Sequence, residues 1–195
     1  IIVGGEVPPA VGNLTEAHAH WLSRDTIAWQ ISRIPGATYR LYYSPDAALT
    51  LTDAGIEGGD FIELTADRAG IGDELAARFP HLADYTALKV SEADLDALPE
   101  ILRGQTAVAA FYNQDVFQDA TALQIPGVLD DLYTYDGDLG VTFADGVPTI
   151  RVWAPTAQNV RLHRFADSDP ATEPTVEDMD YDDSTGVWSI TGEAD

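Results

Sequence analysis

The chain has 195 residues, 45% of them hydrophobic, enough to bury a core in one or two domains. Its 33 Asp and Glu against 10 Lys and Arg give a formal charge of -23, which disfavours nucleic acid and anionic membranes, since both need clustered cations. The absence of cysteine removes disulfides and thiolate chemistry, and no apolar run approaches the about 20 residues of a membrane helix.

Residues 1–17, with Pro8-Pro9 and Gly12-Asn13 and little periodicity, read as a linker or the tail of a preceding module. From 18 to about 64 the pattern predicts strands at 19–22, 26–29 and 39–44, the last closed by a Pro45-Asp46 turn. Between 67 and 102 the chain changes character and predicts short helices at 73–79, before Pro80, and at 91–102. Ser91 suits the N-cap, Glu92 and Asp94 put negative charge in the first turn, Pro99 suits the start of a new helical segment, and Gly104 is a stop. Strand character returns at 106–112, apolar enough to be buried on both faces, and 120–125 is expected to pair back after the turn at 113–115. Pro126-Gly127 breaks the run, residues 130–135 lead out, and Gly137 and Gly140 mark the crossing into a second domain.

In that second domain Thr149-Ile-Arg-Val-Trp-Ala-Pro-Thr-Ala157 alternates until Pro155, which cannot donate to a ladder, stops it. The run at 159–165 is expected to pair with it, and a third strand at 187–191 follows the turn at 182–186. Ile125-Pro-Gly-Val-Leu-Asp-Asp-Leu-Tyr-Thr-Tyr-Asp-Gly-Asp-Leu-Gly140 followed by the 149–157 strand resembles bacterial pullulanases and plant limit dextrinases. Ala19-His-Trp-Leu-Ser-Arg-Asp-Thr-Ile-Ala-Trp29 and Tyr39-Arg-Leu-Tyr-Tyr-Ser-Pro-Asp46 are similar to the first β-domain of the same enzymes.

The resemblance implies a mainly β chain: an immunoglobulin-like β-sandwich with a short helical insertion over 18–135, then an isoamylase-type (family 48) carbohydrate-binding module over 136–195. That module is expected to lack its closing strands and to invite self-association. It further implies a non-catalytic N-terminal region of an enzyme hydrolysing α-1,6-glucosidic bonds in pullulan, starch or glycogen. The partners implied are α-glucan and a downstream catalytic barrel of the same polypeptide, with no nucleic acid and no membrane. Secretion or a bacterial cell surface is the implied location, the cytoplasm the other reading. The alternative from a different class is a stand-alone carbohydrate-binding or surface-adhesion module without hydrolase activity.

Glycoside hydrolysis needs two carboxylates held about 5–10 Å apart across a sugar, and no motif here positions such a pair, so no residue is assigned as catalytic. The scattered histidines His18, His20, His81 and His163 suggest no metal site, and Glu177-Asp-Met-Asp-Tyr-Asp-Asp183, without the spacing of a calcium loop, reads as an exposed turn. No cofactor is expected; calcium is left to the parent enzyme. Sugar recognition uses aromatic faces, for which Trp21, Tyr42 and Tyr43 are the candidates. Trp153, Tyr133 and Tyr135 are candidates for docking another domain, Trp153 because it faces out if Ile150 and Val152 fill the core. Glycogen-binding relatives of the module carry an exposed Trp after paired asparagines, where this chain has Ala166-Asp-Ser-Asp-Pro170. Direct α-glucan binding by the second domain is therefore not expected, and the affinity of the chain for linear maltooligosaccharides is expected to be weak or undetectable.

Overall fold

The computed structural model describes residues 11–33, 35–113 and 115–193, so most of the expected linker, including Pro8-Pro9, lies outside the described residues. The chain divides into two compact units, one ending at Asp131 and the other beginning at Leu132. The first unit runs β1 (Val11–Asn13), β2 (Ala19–Ser23), β3 (Thr26–Trp29), β4 (Ala37–Ser44), β5 (Thr50–Thr52), β6 (Gly55–Glu57), β7 (Asp60–Asp67), α1 (Asp73–Arg78), β8 (Thr86–Val90), α2 (Leu98–Ile101), β9 (Gln105–Tyr112), β10 (Val116–Gln124) and α3 (Pro126–Leu132).

Two expectations need correction at once. Residues 11–13 are not linker: Val11, Gly12 and Asn13 pair in parallel with Asp119, Ala120 and Thr121 of β10. Residues 126–132 do not simply break and lead out, because Pro126 opens a helix, where its missing N–H costs nothing. Gly127 is needed there, since a Cβ would meet the Trp21 carbonyl oxygen at 2.7 Å and Leu22 Cα at 2.9 Å.

The mainly β expectation holds, and the large sheet closes on itself as a barrel. Its order is β10-β2-β3-β8-β7-β4-β9, and β9 returns to β10 as an antiparallel hairpin, with β1 beside β2 along β10. Strand parity fills the interior. Trp21, Ile27, Trp29, Tyr39, Leu41, Leu88 and Val108 lie on one face by register and are at most 2% exposed. Trp29 on β3 and Tyr39 on β4 are separated in the sheet by β8 and β7, yet their rings meet edge to face at 6.3 Å, a contact made across the barrel.

The outer face carries two satellite cores. One gathers Tyr42, Leu49, Ile56, Phe111 and Phe117, with Leu14 against it, so the short β5–β6 hairpin serves as its cover. The other puts Leu22, Ala28, Ile71 and Ala87 under Leu75, Ala76 and Phe79 of the α1 region and under Leu82. The 73–79 helix expected from sequence therefore forms because Leu75 and Ala76 have a wall to lie on. The second helical stretch is a 3₁₀ turn at Glu92–Ala97 followed by α2, with Pro99 in the first turn of α2; Ser91 Oγ donates to Asp94 Oδ2 at 2.8 Å and bonds no backbone N–H.

The second unit contains β11 (Gly140–Ala144), β12 (Val147–Trp153), β13 (Arg161–Arg164), β14 (Thr175–Asp178), β15 (Asp180–Asp182) and β16 (Val187–Thr191). Here the expected pairing is corrected. The strand at 149–157 does not pair with 159–165: β12 lies between β11 and β16 in a four-stranded sheet ordered β11-β12-β16-β15, while β13 pairs with β14. The reason lies in the turns. Asp145 and Gly146, both at positive φ, make the two-residue hairpin that joins β11 to β12, and Pro155 diverts the chain after Ala154. The acidic run at 177–183 is likewise not a plain turn, since it supplies the end of β14 and all of β15.

Trp29→Ala removes a fully enclosed ring from the barrel and is expected to cost about 3–5 kcal/mol, read as a lower urea midpoint. Phe143→Ser, at a side chain 71% exposed, is expected to stay within about 0.5 kcal/mol of the parent.

Candidate functional site

The sequence-selected sugar platforms are placed very differently from one another. Trp21 is fully buried on the interior face of the barrel and has no ring face for a ligand, because the parity that puts Ile27 and Trp29 inside puts Trp21 there too. Tyr42 is 5% exposed and packs its ring on Phe61 at 5.3 Å. Tyr43 is half-buried. Beside Tyr42 the open ring is Phe61, 45% exposed, the second residue of β7, in a segment where no strand was expected from sequence. The Arg40 guanidinium lies 4.6 Å from the centroids of both Phe61 and Phe111, with Asp115 at 3.9 Å.

The docking candidates are also rearranged. Tyr133 is buried, and Gly186, at φ 72°, lets its neighbourhood close: a Cβ there would meet Pro155 Cβ at 2.6 Å and the Tyr133 ring at 3.2 Å. Tyr135 is half-buried and its hydroxyl donates to the Asp138 carbonyl at 3.4 Å. Trp153 does not face out. Its indole N–H donates to the Thr185 carbonyl at 3.1 Å beside buried Val187, whereas Val152, expected in the core, is 42% exposed. Val152 shares its face with Val141, Phe143, Ile150, Trp188 and Ile190, of which Val141 and Phe143 stand open while Trp188 is covered. The other face carries Trp153 and buried Val187 at one end and, beyond them, polar contacts in which Arg151 donates to Thr142 Oγ1 at 3.2 Å and Thr149 meets Thr191 at 3.1 Å.

Ionisable groups reach significant environments in the first unit. Burial pushes the Asp25 carboxyl up, but hydrogen bonds from Lys89, Thr26 and Ser23, with the Lys89 charge, outweigh it and hold the pKa below the usual carboxylate range. Asp119 is pushed the other way: burial raises it against the hydrogen bond from the Ala120 N–H. His20 is lowered, first by burial and then by repulsion from His81, whose ring lies edge-on at 6.3 Å. His18 and His20, expected to share a face, do not act together: His18 pairs with Glu16 at 3.1 Å while His20 meets His81 and Tyr85. That His20–His81 pair is invisible to sequence spacing because 61 positions separate the two histidines.

Residues 16–131 match the Pullulanase N2 domain and residues 138–195 match carbohydrate-binding module 48, the isoamylase N-terminal domain. Pullulanase 1, chloroplastic, from Arabidopsis thaliana is 34% identical over 180 residues, covering 92% of this chain and 18% of that protein. A pullulanase from Klebsiella pneumoniae is 33% identical over 189 residues, covering 92% of this chain and 16% of its own length. Among solved structures, ligand-free PulA from Klebsiella pneumoniae superimposes with a TM-score of 0.76 at 33% identity over 92% of this chain and 17% of that one. The apo pullulanase from Klebsiella pneumoniae gives 0.75 at 32%, over 92% of this chain and 19% of that one. The chain thus spans less than a fifth of the length of the curated relatives it matches.

Because His20 titrates lower in the fold than its unperturbed 6.5, the unfolded chain binds more protons, and this contribution is present above pH 6.5 and lost as pH falls below it. Urea midpoints at pH 7.5 and 5.5 are expected to differ, and His20→Gln is expected to shrink that difference.

Proposed function

This chain belongs to the pullulanase N2 domain family, with a family 48 carbohydrate-binding module following in the same polypeptide, and from that membership we propose that it is the non-catalytic N-terminal region of a debranching enzyme. The parent enzyme hydrolyses α-1,6-glucosidic bonds in pullulan, starch or glycogen branches, and the two units support or align a downstream catalytic barrel while contacting α-glucan. The observation that carries this reading is the order of the two matches: an N2 domain at 16–131 and a family 48 module at 138–195, along a chain whose relatives are pullulanases over 92% of its length.

Physical chemistry supports the substrate class. A surface with net charge -23 repels polyanions, whereas a neutral glucan is recognised through hydroxyl hydrogen bonds and ring packing that carry no net charge. No described helix is long and apolar enough to cross a membrane. An exported bacterial enzyme is the setting we favour, where high surface acidity keeps a protein dispersed.

The apolar strip of Val141, Phe143 and Val152 is the surface we assign to docking within the parent polypeptide, in place of Trp153. Hydrophobic area of this kind marks protein contact more often than sugar contact, because a hexose offers only one weakly apolar face.

Two measurements test the proposal. The 195-residue chain alone is expected to release no reducing sugar from pullulan, and the polypeptide encoded by the uninterrupted parent reading frame is expected to release maltotriose from it. A stop codon directly after the codon for Asp195, or turnover that copurifies with the isolated chain, defeats it.

A further inference from the structure

Outside the surfaces already described, the first unit holds a cleft of about 590 Å³ between the β2–β3 turn, β8 and the start of α1, a size in the range of small-molecule sites. Three of the chain's ten Lys and Arg line it, Arg24, Arg78 and Lys89. Asp25, Asp73, Glu74 and Asp131 line it with them, so the lining comes close to charge balance.

These groups are held in place by one another. Lys89 Nζ donates to Asp25 Oδ2 at 2.9 Å and to Thr26 Oγ1 at 2.6 Å, leaving its third N–H unassigned. Asp25 Oδ1 accepts from Ser23 Oγ at 2.9 Å and Thr26 Oγ1 at 2.8 Å. Asp131 Oδ2 takes the Arg24 backbone N–H at 2.8 Å and the Arg24 Nε at 3.4 Å, and Arg24 Nη2 donates to the Asp131 carbonyl at 3.5 Å, which fixes the guanidinium and leaves its remaining Nη hydrogens for a ligand. Arg78 is anchored to Asp130 at 3.5 Å. Ile71, Leu75 and Leu95 give the cleft an apolar side.

A site for a phosphate or other anion gathers cations without matching carboxylates, and a cation site does the reverse. Anchored donors alternating with anchored acceptors beside an aliphatic wall suit a ligand whose groups each donate and accept and whose rings have an apolar side. We propose that this cleft is a binding subsite for a neutral oligosaccharide, and, resting on the debranching reading above, that its ligand is a stretch of α-1,4-linked glucan. The barrel of the first unit would then hold substrate chain itself, apart from any contribution of the family 48 module. Such a subsite is built from charged side chains rather than stacking aromatics, so it leaves no aromatic signal in the sequence.

Titration calorimetry of the 195-residue chain with maltoheptaose tests this. The expected result is saturable binding with a dissociation constant of about 1 mM, little changed by added salt because the ligand is uncharged. Lys89→Met and, separately, Arg78→Ala are each expected to weaken it at least tenfold. Arg78 is half-exposed, so its variant keeps the fold if loss of the Lys89 contacts disturbs it. Phe143→Ser in the second unit is expected to leave affinity unchanged. Absence of saturable binding, binding that survives both cleft variants, binding lost only on Phe143→Ser, or tighter binding of inorganic phosphate overturns the proposal. If the parent enzyme still cleaves pullulan in any of those cases, the debranching reading stands without this subsite; if it does not, that reading falls independently.

Discussion

Strand β10 is the constraint on which the first unit depends. It hydrogen-bonds β9 on one side and the N-terminal strands β1 and β2 on the other, and so turns a curved sheet into a closed ring. Closure removes the open edges that a sheet of this size would otherwise present to other chains. It also creates an enclosed volume that only large side chains can fill, which is why Trp21, Trp29 and Tyr39 are spent on the interior and are unavailable to a ligand. What remains for recognition is the outer surface, where helices, a small hairpin and loops decide which parts of the barrel wall are covered and which are left as clefts.

The second unit answers the same problem differently. Its four-stranded sheet stays open, with Thr142, Thr149, Arg151 and Thr191 linked by hydrogen bonds on one face and aliphatic and aromatic side chains on the other. The tight chain crossing at Gly186, with Trp188 donating to the Ala154 carbonyl at 3.0 Å and Trp153 to Thr185, pins one end of that sheet. The hairpin end, with Phe143, has no comparable tie among the described residues.

Much of the fold was legible in residue order. Residue pattern located Thr26–Trp29, the continuous apolar run located β9, Pro99 marked the start of α2, and the family resemblance identified the first module from residues 19–29 and 39–46 and the second from residues 125–140 with the strand stopped by Pro155. The β9–β10 hairpin was legible in the turn between its strands, but the partnering in the second unit was not, because β12 and β13 adjoin in sequence while the Asp145-Gly146 turn and Pro155 send them to different sheets. Nor was the ligand surface, for a related reason. Aromatic residues on strands advertise themselves in sequence, yet parity assigns Trp21 and Trp29 to the same interior. Arg24, Asp25, Arg78, Lys89 and Asp131 are ordinary surface charges until the fold brings them together across more than a hundred positions.

The parallel pairing of Ala19 and His20 with Leu123 and Gln124 has a temporal side. During synthesis the first strands leave the ribosome long before their closing partner exists, and no local contact can stand in for it. The early hairpin of β2 and β3 must therefore wait with one flank unpaired until the segment through residue 124 has emerged, so the barrel closes as a late, long-range event rather than growing strand by strand. The high acidity of the chain bears on that interval, because like charge on nascent copies keeps their waiting edges apart until each can close on itself.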